Sequence, residues 1–277
     1  MPEKSISNLR TVLFVMIISL TCAITLSLLS ILLEKPKSEA KKLFQSKQLL
    51  IAAKLLTYQN QPIIGGNAQE KKASDAEILA LFNERINAYL TDKEGQLYTF
   101  KEKKIDQREY IQNYEKSGYS QLPLKLIYLI KGVDGKPAGF VIPINGYGLW
   151  DALYGYLALS SDADHVIGTT WYDQKETPGL GAEIGSEKWQ SQFYNKVIFQ
   201  KNDEGQTDFR RAPLGFTIVK TSVKEVYGDS SKAESAIDGV TGATATMNGV
   251  TDAYRNSLTP YRPFLIKAHN KEINYEL

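Results

Sequence analysis

The sequence predicts an α+β protein, with one N-terminal transmembrane helix followed by a single domain built on an antiparallel sheet with flanking helices. Three observations carry that expectation. Residues 11–33, TVLFVMIISLTCAITLSLLSILL, hold 23 consecutive positions without a charge. Short apolar or alternating runs, separated by turn residues, then recur between residues 124 and 223 as strands in hairpins do. Helical spacing gathers before and after these runs, which argues against alternating βαβ units.

At ~1.5 Å per residue, a helix over residues 11–33 spans a hydrocarbon core of roughly 30 Å. A cleaved signal peptide is the competing reading. Such segments have apolar cores of about 7–15 residues and end at small residues, whereas this run ends in LLEKPK, so an uncleaved anchor is expected. Lys4 and Arg10 precede the helix, and Lys35, Lys37, Lys41, Lys42 and Lys47 follow it. By charge count alone the large domain would be cytoplasmic, a count that long translocated domains often disobey.

The expected boundaries are an N-terminal tail at 1–10, the transmembrane helix at 11–33, a membrane-proximal helical region at 34–98 and an α+β domain at 99–277. Within the helical region, Leu43, Phe44, Leu49, Leu50, Ala53 and Leu56 form a stripe over 38–56, and residues 57–73 read as loop. Ser74 then caps a second helix over 74–90. Strands are expected at 124–130, 140–144, 154–160, 166–173, 196–201 and 216–223, with KGVDGKPAG (131–139) turning the first hairpin.

Several functions are excluded or weakened by composition. The 277 residues are 43% hydrophobic with a net charge of +2, which fits neither a disordered tail nor a nucleic-acid binder. Cys22 is the single cysteine and lies in the apolar span, so this chain has no disulfide framework, Cys-x-x-Cys pair or cysteine-ligated metal. His165 and His269 stand far apart without a ligand pattern, so no metal site is expected. GYGLWD (146–151) begins like a dinucleotide fingerprint but has Asp151 in place of the third glycine and precedes a strand-like run. No nucleophile elbow or Walker lysine is present, and a hydrolase would rest on Glu176 or Glu183 alone. No catalytic residue is assigned.

The stretch DGVTGATATMNGV (238–250) differs from all of these. Met247, Val250, Tyr254 and Leu258 follow at spacings of three and four, so a helix starts close to Thr244, with Thr244 or Thr241 in its first turn. Free N–H groups there, with Gly239, Gly242 and Ala243 allowing close approach, suit a phosphate. A threonine-capped helix after a glycine turn is the plainer alternative.

Asp238, Thr241, Gly242, Ala243 and Thr244 spell Asp-x-x-Thr-Gly-Ala-Thr, which resembles the flavinylation motif of FMN-binding domains. ETPGLGAEI (176–184) resembles the loop that lies against the flavin in the same family. From the anchor through NGYGLW (145–150) to the threonine motif, the chain is most similar to the C subunits of sodium-translocating NADH:quinone reductases. The G subunit of the Rnf-type electron-transport complex shares both motifs and ranks second. A membrane-anchored binding or assembly module that is never flavinylated is a third reading.

The resemblance implies covalent FMN, held by a phosphoester to Thr244 and installed by a flavin transferase that uses FAD and Mg²⁺. Asp238 and Thr241 would shape the loop for that enzyme, while Gly242 and Ala243 leave room for it and for the phosphate. Thr246 lies outside the motif. Thr177, Gly179, Leu180 and Gly181 would face the flavin, with Pro178 and the glycines letting the loop present N–H groups and Leu180 to the ring. Leu149, Trp150 and Lys220 complete the implied cofactor-binding set. The implied function is electron relay from NADH toward ubiquinone in a sodium-pumping complex. The implied partners are the other subunits, especially the FMN-carrying B subunit and the D and E subunits. The resemblance also implies a single-pass protein of the inner membrane with a periplasmic domain.

Overall fold

A computed structural model describes residues 8–273 and Tyr275. Of the expected N-terminal tail, residues 1–7, Lys4 among them, lie outside the described residues. Helix α1 runs Asn8–Ala52 with Pro36 inside it, and by length and composition it suffices to cross a membrane. Its apolar side chains from Val12 to Leu33 are exposed. The sequence ended this helix at residue 33. It continues because the residues after Pro36, including Glu39, Ala40, Lys41, Lys42 and Leu43, are strong helix formers, and one missing N–H does not outweigh them.

The chain divides into two units, Met1–Phe44 and Gln45–Leu277. The second unit opens with the last turns of α1, where Leu49, Leu50 and Ala52 are buried. The expected loop at 57–73 contains a small hairpin, β1 (Ile63–Ile64) and β2 (Asn67–Ala68). Helix α2 (Asp75–Arg85) starts at Ser74 in a reciprocal capping box with Glu77.

The expected helix at 74–90 stops early, because Ile86–Thr91 is a strand, β3. Residues 86–91 pair antiparallel with 125–130, and those ladder bonds override the local helical spacing. Strand β4 (Leu97–Tyr98) follows, then α3 (Gln107–Tyr114), β5 (Lys125–Lys131), β6 (Pro137–Tyr147), β7 (Ala152–Ser160) and β8 (Val166–Asp173). The six strands form one antiparallel sheet in the order β4-β3-β5-β6-β7-β8. The region assigned to helices at 34–98 thus supplies two strands of the main sheet, and the α+β fold begins well before residue 99.

Two further departures concern short apolar runs. Residues 196–201 make isolated bridges to His165 and Leu214 in place of a strand. The N–H groups of Ile198 and Phe199 both go to the buried carboxylate of Asp164, which satisfies the backbone without a ladder. Helix α4 (Glu187–Gln190) precedes this stretch. After it, the expected strand at 216–223 is only β9 (Thr217–Val219), because Ser222 caps helix α5 (Val223–Tyr227). Strand β10 (Ala236–Asp238) runs parallel to β9, in a separate two-stranded sheet.

Helices α6 (Thr244–Leu258) and α7 (Arg262–His269) close the fold. Met247, Val250, Ala253, Tyr254 and Leu258 of α6 and Phe264, Leu265 and Ala268 of α7 are buried in one cluster with Ile127, Leu129, Phe140, Ile142, Leu157 and Trp171 of the sheet. For each Val, Leu, Ile, Phe and Met among them, full burial contributes roughly 1.5–3 kcal/mol. The side chains of Thr169 and Trp171 on β8 bond Tyr254 on this face, while Thr170 between them donates to the carbonyl of Gln48 in α1. The period of two along β8 therefore sets the sheet between α6 and the end of α1.

Tyr254 is the polar centre of the core. Its hydroxyl lies 2.8 Å from Thr169 Oγ1 and accepts from Trp171 Nε1 at 3.1 Å, and its ring packs on Phe193, Phe216 and Trp171. Tyr254→Phe is expected to destabilise the domain by about 1–3 kcal/mol, because the buried indole N–H loses its acceptor. Urea unfolding of the full chain measures this.

Both histidines adjoin the turn between β7 and β8. His165 Nδ1 bonds the Asp162 carboxylate at 2.6 Å, and His269 Nδ1 donates to the Asp162 carbonyl at 2.9 Å. Burial pushes the Asp162 pKa up, but the Ser160 hydroxyl, the N–H groups of Asp164 and His165 and the His165 ring outweigh it, bringing it down from 3.8 to about 2. A carboxylate lowered in the folded state stabilises above its unfolded pKa and ceases to do so as pH falls through the folded value. Asp162→Asn is therefore expected to cost about 1 kcal/mol at neutral pH, discounted for partial exposure, with the deficit vanishing from roughly pH 4 down to pH 2. Unfolding midpoints across that range provide the check.

Candidate functional site

Helix α6 begins at Thr244, as the spacing of its apolar residues predicts, and no side chain caps it. Thr244 is exposed, and its hydroxyl has no hydrogen-bond partner among the described residues. The uncapped first turn leaves N–H groups and the positive end of the helix dipole beside that hydroxyl. Gly242, two residues earlier, has φ of +81°, a backbone state natural to glycine.

The loop before α6 is held from behind. Asp238 Oδ1 accepts from Val223 N at 2.6 Å, and its carbonyl accepts from Trp189 Nε1 at 2.9 Å. Gly239 N donates to Val219 O at 2.9 Å, and a side chain on Gly239 would meet that oxygen at 2.5 Å. Lys220 follows Val219 directly and is exposed beside this loop. Thr241 is also exposed.

The second motif folds into a type II turn, with Pro178 and then Gly179 at φ of +74° as its central residues. The N–H groups of Leu180 and Ala182 both donate to Thr177 O at 3.1 Å. The loop therefore keeps those two N–H groups to itself. It presents the Leu180 side chain, and a Cβ on Gly242 would lie 3.1 Å from Leu180 Cδ2, so Leu180 adjoins the threonine loop.

Leu149 and Trp150 sit in the turn joining β6 to β7, and their side chains are 57% and 67% exposed. The Trp150 indole N–H donates to Thr177 Oγ1 at 3.1 Å. Beneath them lies Glu176, which the sequence weighed only as a poor hydrolase candidate. Its buried carboxylate accepts from Leu149 N at 3.1 Å, Trp150 N at 3.0 Å and Thr246 Oγ1 at 2.5 Å. Burial pushes its pKa up, but the Thr246 hydroxyl and the N–H groups of Trp150, Leu149 and Asp151 hold it below the usual carboxylate range.

Thr246 was set aside as lying outside the motif, and it is buried against Glu176. Helical phase carries the signal: two residues apart on a helix is about 200° of rotation, so Thr244 and Thr246 face different ways. The structure thus brings Leu149, Trp150, Thr177, Gly179, Leu180, Gly181, Asp238, Thr241, Gly242, Ala243 and Thr244 to one end of the domain, with Lys220 at its edge. An uncapped helix start, a free hydroxyl and exposed apolar side chains together fit a phosphorylated flat ring such as FMN.

Gly181 and Gly179 separate space from backbone angle. A Cβ on Gly181 would lie 2.5 Å from Thr246 Oγ1 and 2.9 Å from Glu176, whereas one on Gly179 meets nothing within 4 Å. Gly181→Ala is expected to destabilise by about 1–3 kcal/mol through overpacking, and Gly179→Ala by roughly 1 kcal/mol through its positive φ alone. Urea unfolding of the two variants side by side decides the ranking.

Comparison with known proteins gives concordant results. Residues 148–259 match the family model of the FMN-binding domain. The C subunit of the Na(+)-translocating NADH-quinone reductase of Chlamydia caviae is 37% identical, with 92% of this chain and 91% of the relative aligned. The corresponding C subunit of Pasteurella multocida is 30% identical, with 93% of each chain aligned. The crystal structure of the C subunit of the Na(+)-translocating NADH-quinone reductase from Parabacteroides distasonis superposes with a TM-score of 0.58 at 25% identity, covering 84% of this chain and 96% of that one. Shewanella oneidensis NqrC shares the fold at a TM-score of 0.56 and 23% identity, over 84% of this chain and 98% of its own.

Proposed function

The chain belongs to the family of C subunits of Na(+)-translocating NADH-quinone reductases, and from that premise we propose that it is a membrane-anchored electron carrier with FMN bound covalently at Thr244. The free hydroxyl of Thr244 at the uncapped start of α6 carries this reading. FMN supplies reversible electron transfer that no amino-acid side chain in this chain offers.

On a separate Mg²⁺-dependent flavin transferase, the Thr244 hydroxyl would accept the FMN phosphoryl group of FAD, the pyrophosphate P–O bond breaking to release AMP and the hydroxyl proton leaving. Gly242, which is exposed, gives that enzyme access to the hydroxyl, while the buried Ala243 seats the start of α6 on the core. The uncapped first-turn N–H groups of α6 would hold the phosphate, whose charge suits the helix terminus. Leu149, Trp150 and Leu180 offer apolar surface to the ring, and Lys220 offers a cation to negative charge on the cofactor. Asp238 and Thr241 shape the loop that presents Thr244.

The names of the relatives support electrons moving from NADH toward a quinone, coupled to sodium transport by an assembly of subunits. Within it this chain relays electrons to the FMN of the B subunit and contacts the D and E subunits. The long apolar helix α1 serves as the single-pass anchor. The domain lies on the periplasmic side of the inner membrane, where a covalent bond prevents loss of the cofactor.

Native protein is expected to exceed the polypeptide mass by one FMN less one water, localised to the peptide spanning residues 238–255. Thr244→Ala is expected to abolish that increment while shifting stability by no more than about 0.5 kcal/mol, since the side chain is exposed. Thr244→Ser, which keeps a hydroxyl, is expected to retain it. Mass spectrometry with a parallel unfolding curve tests all three, and an unmodified native chain overturns the reading.

A further inference from the structure

We infer that Glu176 is a positioning residue for the flavin, an inference that rests on FMN being carried by Thr244. Its carboxylate joins three separate segments at one buried point: the Leu149–Trp150 turn by two backbone N–H groups, the first turn of α6 through Thr246, and its own Thr177–Gly181 loop by chain continuity. The surface against which a ring tethered at Thr244 must lie is made from those same segments.

The surroundings are shaped for the carboxylate. A Cβ on Gly148 would lie 2.4 Å from Glu176 Oε1, and one on Gly181 would lie 2.9 Å from Oε2. Neither glycine has positive φ. Backbone conformation does not require glycine at either position; the space taken by the Glu176 carboxylate at Gly148, and by the bonded Thr246–Glu176 pair at Gly181, does.

What Glu176 holds also argues against a purely structural role. Core-stabilising bonds normally fix residues whose side chains are buried, yet Leu149 and Trp150 are exposed by more than half. The Trp150 indole is further fixed by Thr177, the neighbour of Glu176. A buried charge thus fixes the direction of two exposed apolar side chains, which serves whatever they meet. Glutamine cannot replace it, because an amide has a single acceptor oxygen: with that oxygen on Trp150 N, the NH₂ group can donate to Thr246 Oγ1 but repels the N–H of Leu149.

The test uses the full chain, produced together with its flavin transferase and purified in detergent. Intact mass reports attachment, and flavin fluorescence and visible circular dichroism report how the ring is held. Thermal unfolding reports stability. The variants are Glu176→Gln, Thr246→Val and Thr246→Ser, with Ile78→Val in α2 as a core control.

All variants are expected to carry the flavin mass. Glu176→Gln loses the induced dichroism and gains fluorescence, Thr246→Val changes both less, Thr246→Ser matches the parent, and Ile78→Val lowers the unfolding temperature without altering the ring signals. Wild-type ring signals in folded Glu176→Gln overturn the inference, as do equal changes in Ile78→Val. Folded Glu176→Gln without attached flavin also overturns it, assigning Glu176 to loading. Should Glu176→Gln fail to fold, Thr246→Val decides by the same signals. A parent chain without flavin mass is a separate result that removes the attachment reading itself.

Discussion

Helix α6 lies against the end of β6 more closely than side chains permit. A Cβ on Gly249 would fall 2.0 Å from the Tyr147 carbonyl oxygen, and one on Gly146 would fall 2.4 Å from the Ala253 Cβ. Ser257 completes the contact by donating to Asn145 O and accepting from Asn145 N, both at 3.1 Å. With no side chain at two contact points, the helix has little freedom to slide along the strand. This fixes the height at which α6 begins, and so where Thr244 stands relative to the turn that continues β6.

The same contact explains why a carboxylate can sit beneath that turn. The β6–β7 connection turns within Gly148–Asp151, leaving N–H groups aimed inward that the sheet cannot use. Glu176 accepts two of them, and the hydroxyl of Thr246 supplies a further donor from the helix. Without these donors, burial would push the carboxyl pKa up, as the raised pKa of Asp164 illustrates where burial outweighs two backbone bonds. The anion at Glu176 is therefore a product of the α6–β6 geometry, and any shift of the helix start would be felt there.

Much of this was legible in the sequence, for identifiable reasons. The charge-free run at 11–33 and the short apolar or alternating runs of β5 to β8 are properties of consecutive residues, and they reappear in the fold as α1 and as four largely buried strands. Residues 86–91 carry a helix-like spacing yet become β3, because their partner strand lies some forty residues away. Residues 196–201 look like a strand, but the acceptor that satisfies them is a side chain, Asp164. At the site, the motif residues could be named from their resemblance, whereas the bond between Glu176 and Thr246 spans seventy positions and has no local signature. Only the helical phase of Thr246 relative to Thr244 hinted that it faces inward.

The covalent tether proposed at Thr244 would change what the remaining site has to accomplish. Noncovalent retention of a flavin needs a deep pocket whose contacts outweigh the lost freedom of the ligand. Once one bond holds the cofactor, that entropy cost is settled at attachment, and the local concentration of the ring is high whatever its contacts. Leu149, Trp150 and Leu180 are exposed by 40% or more, and with the proposed tether they would give the ring a surface to rest on while leaving its outer edge open. Precision in such an arrangement must come from beneath, from groups that hold the supporting side chains without covering the ring. A buried, fully bonded anion does this better than a packed apolar residue, because its bonds fix the backbone direction of the turn and dispersion contacts do not.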